Sequence, residues 1–175
     1  MAEEKKEPWL NYLALTTVIF AVCATLSTLK GGGYGSKAVM SQAQASDQWS
    51  YYQAKSIKGY LYELQRDKLE LELKTGARSA AGEYRKKVQF YQDEIDRYKE
   101  EKEAIKKKAE ALEASRDDAQ KHSGAFGLAA MFLQIAILLS SIAALMKQKY
   151  FWFLGLAAGA FGLVYFFDGF LLFMK

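Results

Sequence analysis

The sequence predicts an all-α membrane protein: three transmembrane helices, with a long antiparallel helical hairpin between the first and second. Two observations carry that expectation. Three long apolar stretches lie toward the two ends of the chain, while most charged residues lie between the first and the second. Within the charged middle, Tyr84, Tyr91, Tyr98, Ile105, Leu112 and Ala119 recur by sevens. A second series, Val88, Ile95, Lys102, Ala109 and Arg116, runs four residues behind the first. Alternating steps of four and three over about five heptads are the seam of a coiled coil, and a seam requires a partner helix.

Residues 1–8 form a polar tail ending in Pro8, the only proline and a suitable helix start. Trp9 to Leu29 follows as 21 residues without a charge, long enough to cross a hydrocarbon core of about 30 Å. Trp9 and Tyr12 stand where interfacial aromatics are expected. The run is long for a signal peptide and has no clean small-x-small cleavage site. Cys23 follows Phe20-Ala21-Val22, a poor lipoprotein site, so a packed or lipid-facing thiol is expected.

Residues 30–36 contain Gly31, Gly32, Gly33 and Gly35, and this density predicts a hinge that breaks the helix. A phosphate-binding loop would need a following Gly-Lys-Ser/Thr after a strand, and neither is present. Ser36 is the expected cap of the next helix, which runs to about Lys74 with Ile57, Leu64 and Leu71 repeating by seven beside Tyr60 and Leu61. Residues 75–79 are a turn, with Gly76 closing one helix and Ser79 capping the next. The second helix runs from about Ala80 to His122. A turn centred near residue 77 pairs Leu71 with Tyr84, Leu64 with Tyr91, Ile57 with Tyr98 and Tyr60 with Ile95. Ser50 then meets Ile105 and Ala43 meets Leu112, the arrangement expected of an antiparallel coiled coil over 37–122 with arms of about 60 Å.

One layer is polar: Lys102 falls opposite Gln53, beside Trp49 and near Asp47. Two readings stay open. Lys102 either extends its methylenes along the seam and its ammonium to water, or sits in a polar layer that fixes register. Tyr51 and Tyr62 fall off this seam and are candidates for contact with another subunit. Asp47, Gln48, Gln53 and Lys55 form a local polar set around Trp49, without a Ser-His-Asp group or a facing carboxylate pair.

Gly124 and Gly127 mark the return toward the membrane. Ala125 to Met146 is the second uncharged run, with Gln134 as its strongly polar side chain, 147–149 is a basic loop, and 150–174 is the third span. Ala136, Ser140 and Ala144 form a small-residue ladder, and Gly155, Gly159 and Gly162 a second one; both allow close helix approach. Asp168 is the acid inside a span, level with about Leu128 when counted back from the loop. An acid near the interface paired with Lys30 or with water is expected; the alternative is an ion or proton site.

Composition restricts function. One Cys excludes an internal disulfide, and one His with one Cys argues against a His- or Cys-rich metal site. The span 30–122 carries 19 Lys/Arg against 16 Asp/Glu with the signs interleaved, a solvated helix rather than a nucleic-acid-binding face. Catalytic, cofactor and metal residues are therefore expected to be none. The expected role is a non-enzymatic membrane scaffold or accessory subunit, a homo-oligomer or part of a larger membrane complex. The alternative is an oligomeric transporter or channel using Asp168 and Gln134. Lysines in the tail and in the 147–149 loop put both in the cytoplasm and the hairpin outside.

The string from Ala45 through Asp47, Trp49, Tyr51 and Lys55 to Lys58, with His122 before the second span and Ser140 to Leu145 before the basic loop, resembles a bacterial family catalogued as domain of unknown function 4337. The resemblance covers nearly the whole chain. It implies a bacterial membrane protein, in the inner membrane, and brings no activity and no functional residues. The family's last loop is richer in Arg than the two lysines here, which weakens the charge argument for orientation.

Overall fold

A computed structural model describes residues 8–75 and 81–174. The predicted turn glycine Gly76, the cap Ser79 and most of the polar tail lie outside the described residues. The chain is all-helical, with no strand among the described residues: α1 spans Trp9–Lys74, α2 spans Ala81–Met146 and α3 spans Lys149–Leu171. Each contains a window long and apolar enough to cross a membrane by length and composition. Two compact units divide the chain, one of residues 1–39 with 116–175 and one of residues 40–115.

The expected glycine hinge is corrected. Residues 30–36 are helical turns of α1, and Ser36 lies inside the helix rather than capping one. Gly124 and Gly127 are likewise interior to α2. Glycine lowers helix propensity by about 1 kcal/mol but does not forbid the helix, and packing recovers that loss at Gly31. A Cβ there would stand 3.1 Å from Cβ of Phe126, so the glycine lets α1 approach α2 closely. Ser123 Oγ donates to the Gly31 carbonyl at 3.0 Å across the same contact.

In the first unit α3 packs against both other helices. Gly159 faces the ring of Phe20 on α1, while Gly155, Gly162 and Gly169 face Ala136, Leu133 and Phe126 on α2. All four glycines are buried. The core joins Phe20 and Ala24 to Leu133 and Ala136, and at the other end Trp9 and Leu13 to Ala143. Trp9 and Trp152 meet with ring centroids 6.1 Å apart. Hydroxyls in the apolar run of α1 are satisfied locally: Thr17, Thr25, Ser27 and Thr28 each donate to the carbonyl four residues back. α3 ends at Leu171, three residues before the predicted end of the span. Leu172 takes a left-handed conformation there and its N–H closes on the Asp168 carbonyl.

In the second unit α1 and α2 pair antiparallel. Trp49 contacts Glu113, Lys55 contacts Glu101 and Arg66 contacts Gln92, so higher numbers on one helix meet lower numbers on the other. The α2 seam lies where the heptads place it: Ile95, Tyr98, Ile105 and Ala109 are buried, and Tyr84, Val88, Tyr91 and Leu112 are half-buried. The α1 seam is on the opposite face from the one expected. Ile57, Tyr60, Leu61, Leu64 and Leu71 are 55–63% exposed. The inward positions are Ser41, Ala45, Gln48, Tyr52, Lys55, Gly59, Tyr62, Arg66, Leu69 and Leu73, buried or half-buried at steps of three and four.

Two heptad series therefore run along α1, about half a turn apart. Steric fit selects the inward one. Ser41, Ala45 and Gly59 leave room for large residues of α2, and a Cβ at Gly59 would lie 3.8 Å from Cβ of Tyr98. Tyr52, Tyr62, Lys55 and Arg66 then cover the seam with long amphipathic side chains.

Candidate functional site

In the second unit the predicted polar set is only partly brought together. Lys55 forms an ion pair with Glu101, its ammonium lying 5.1 Å from the Tyr98 ring centroid and 5.4 Å from that of Tyr51. The hydrogen bond with Glu101 raises the Lys55 pKa, while the same bond holds the Glu101 carboxyl below the usual carboxylate range. Lys102 lies over Tyr60 at 5.5 Å and over Tyr52 at 5.9 Å, not against Gln53, which faces outward. Its charge is held by ring faces, so the layer is cation–aromatic rather than amide-paired. Trp49 Nε1 donates to Glu113 Oε1 at 2.9 Å and its ring meets Tyr52 edge-on at 5.6 Å. Asp47 is exposed and Gln48 half-buried.

Tyr62 is corrected from an off-seam position to the seam itself, between Tyr91 at 5.8 Å and Tyr98 at 5.6 Å. Tyr51 keeps its exposure, at 49%. Farther along, Arg66 Nη1 donates to Gln92 Oε1 at 2.8 Å, and Gln92 Nε2 donates to Asp96 Oδ2. The Gln92 amide, then Lys99, lowers the Asp96 pKa. Hydrophobic periodicity gives no weight to Glu101, Arg66, Gln92 or Glu113. The signal that could have found them is the second α1 heptad series, in which Gln48, Tyr52, Lys55, Tyr62 and Arg66 are polar or aromatic yet spaced as a seam.

In the first unit Asp168 is 4% exposed. Its Oδ1 accepts the Met174 N–H at 2.7 Å, so the carboxylate closes the frayed end of α3. Lys30 is exposed and makes no ion pair with Asp168; the expected pair is corrected. Gly169 faces Phe126, so the end of α3 lies beside α2 close to the Leu128 level expected for Asp168. His122 lies close by. Its Nδ1 is 2.8 Å from the Gly169 carbonyl, a contact that requires the proton on Nδ1. The Tyr34 ring stacks on the imidazole at 4.5 Å, and Nε2 is 3.9 Å from Asp118. His122 thus ties the last turns of α3 to α2 and α1, a role not legible from its position before an apolar run. Gln134 is exposed on α2 and does not share Asp168's buried setting.

The small-residue ladders do pack. Ala136 and Ser140 are fully buried, while Ala144 is exposed. Gly155 meets the Ala136 carbonyl, and Gly162 meets Leu133 so closely that a Cβ would lie 2.7 Å from its Cγ. Apart from Ala144, both ladders pack on partners within the chain. Among the described residues no group of three or more His, Cys, Asp or Glu is placed to hold a metal ion. A family model described as Domain of unknown function (DUF4337) matches residues 9–172. No curated protein and no solved structure matches the chain.

Proposed function

The chain belongs to the family described as Domain of unknown function (DUF4337), and from that premise we propose a non-enzymatic integral membrane scaffold or accessory subunit. Residues 9–29, 125–146 and 150–174 are its spans in a bacterial inner membrane. The antiparallel coiled coil of 37–122 lies on the outer side and binds protein, either copies of itself or a larger membrane complex. One observation carries the reading. The second unit, rich in interleaved charge, exposes large apolar side chains that its own fold does not cover, among them Tyr51, Ile57, Leu64 and Phe90. Exposed apolar side chains that share one face of a charged helix, as Ile57, Leu61, Leu64 and Leu71 do, mark a protein-binding surface.

Native mass spectrometry from mild detergent tests it, because oligomers and retained partners appear as added mass. Protein that is strictly monomeric and carries no partner would count against the scaffold. Orientation is read by a Glu103→Cys variant in a Cys23→Ser background. Labelling by a membrane-impermeant thiol reagent in intact cells is expected, and labelling only after lysis would reverse the topology.

A second reading rests on Asp168, a carboxylate buried in an apolar segment. Such groups serve ion or proton pathways in oligomeric transporters. Cation or proton flux in liposomes that is lost in Asp168→Asn would favour it. Equal flux in both proteins would remove it.

A further inference from the structure

We infer that the outward face of α1 in the second unit is a self-association seam, and that its occupant is the same face of a second copy of this chain. The inference rests on the scaffold reading and names the partner and the residues. Ile57, Leu61, Leu64 and Leu71 follow one another at steps of four, three and seven, with Lys68 filling the remaining heptad position. They lie about half a turn from the inward series that contacts α2. Ile57 is 61% exposed, Leu61 55%, Leu64 63% and Leu71 61%. Tyr60, also 61% exposed, stands at the edge of the stripe with Lys102 over its ring.

Three features single out another helix with the same repeat. First, a stripe at 3.5-residue spacing stays in contact along its length only with a helix of matching period, whereas a globular surface diverges from it. Second, a single α1 helix already carries one such seam toward α2, so the second makes it a helix with two partners. Third, the area suffices. Five side chains of about 200 Å² each, at about 60% exposure, offer about 600 Å² per copy and about 1,200 Å² per symmetric pair, the lower limit of specific interfaces. Lys58, Asp67, Lys68 and Lys74 border or interrupt the stripe, which suits a rimmed protein interface more than immersion in lipid tails.

Leu64 sits midway between Ile57 and Leu71. A symmetric pair therefore brings Leu64 against its own copy whichever direction the second helix runs, which makes it the diagnostic position. The full-length protein in native membranes, with Cys23→Ser as background, is oxidised as Leu64→Cys and as Glu103→Cys, the latter exposed on α2. The expected result is a disulfide-linked dimer at position 64 at least tenfold more abundant than at 103. Equal cross-linking at both positions, or none at 64, overturns the inference. Leu61→Glu with Leu64→Glu supplies the second arm. Both side chains are exposed in the single chain, so helicity by circular dichroism is expected to be unchanged while the dimer peak in native mass spectrometry is lost. A dimer that survives the double substitution overturns the seam. A single copy bound to a different chain overturns the seam and leaves the scaffold reading standing; a single copy with no partner removes both.

Discussion

Replacing the three consecutive glycines of α1 one at a time discriminates a hinge from a packed helix. Gly32 and Gly33 would carry a Cβ into open space, with nothing within 4 Å. Alanine there raises helix propensity by about 0.8–1 kcal/mol at no steric cost. For a chain of this size 1 kcal/mol moves the melting temperature by about 2–4 °C, so Gly32→Ala and Gly33→Ala together should raise it by about 3–8 °C. Gly31 differs from its neighbours. Its new Cβ would stand 3.1 Å from Cβ of Phe126, a side chain that is fully buried and whose Cβ cannot move without its backbone. Overpacking costs about 1–3 kcal/mol. After the propensity gain, Gly31→Ala should come out about 1 kcal/mol less stable than wild type. The assay is thermal unfolding of detergent-solubilised protein followed at the helical circular dichroism band. Opposite signs at adjacent glycines are the signature of helix packing. Destabilisation at all three, as expected where the chain needs positive φ, would refute it.

Other substitutions test other contacts. Ile95→Ala, at a side chain 1% exposed, should cost about 2–4 kcal/mol, whereas Ile57→Ala, at 61% exposed, should change monomer stability by less than about 0.5 kcal/mol. Equal losses would show that the inward face of α1 is wrongly assigned. Gly162→Val forces branched carbon into Leu133 and should lower the melting temperature more than Gly162→Ala does; an unchanged value for both would remove the close α2–α3 approach. The Lys55–Glu101 pair should have a defined pH window. Glu101 is depressed, so its contribution is present above the unfolded carboxylate range and lost as pH falls through the folded value. Lys55 is raised, so its contribution is present below the unfolded lysine value and lost as pH rises through the folded one. The melting-temperature difference between wild type and Glu101→Gln should therefore be largest near neutral pH and shrink below about pH 4; a difference that grows in acid would contradict the pairing.

The α2 seam was legible because its core residues are ones that periodicity reads directly. Ile95, Tyr98, Ile105 and Ala109 are largely apolar, fall on the two interleaved heptad series and are buried. On α1 the same reasoning chose the aliphatic series and was wrong by half a turn. Hydrophobicity ranks Ile57 and Leu64 above Lys55, Gly59 and Tyr62, but cannot register that Gly59 makes room for Tyr98 or that Glu101 neutralises Lys55. Those are facts about the partner helix. The glycine run failed for a related reason, since glycine density measures conformational freedom and not the close approach to Phe126 that uses it.

Three apolar segments, a charged antiparallel helical pair between the first and the second, and the heptad face of α2 were all legible in the amino-acid order alone. All of these follow from local composition and from spacing within one element. Which of two heptad faces of α1 meets α2, the closing of the α3 end by Asp168 instead of a pair with Lys30, and the contact of His122 with the Gly169 carbonyl emerge from the folded arrangement. Each of these depends on shape and hydrogen-bond geometry contributed by residues distant in the chain, which no periodicity within a single helix encodes.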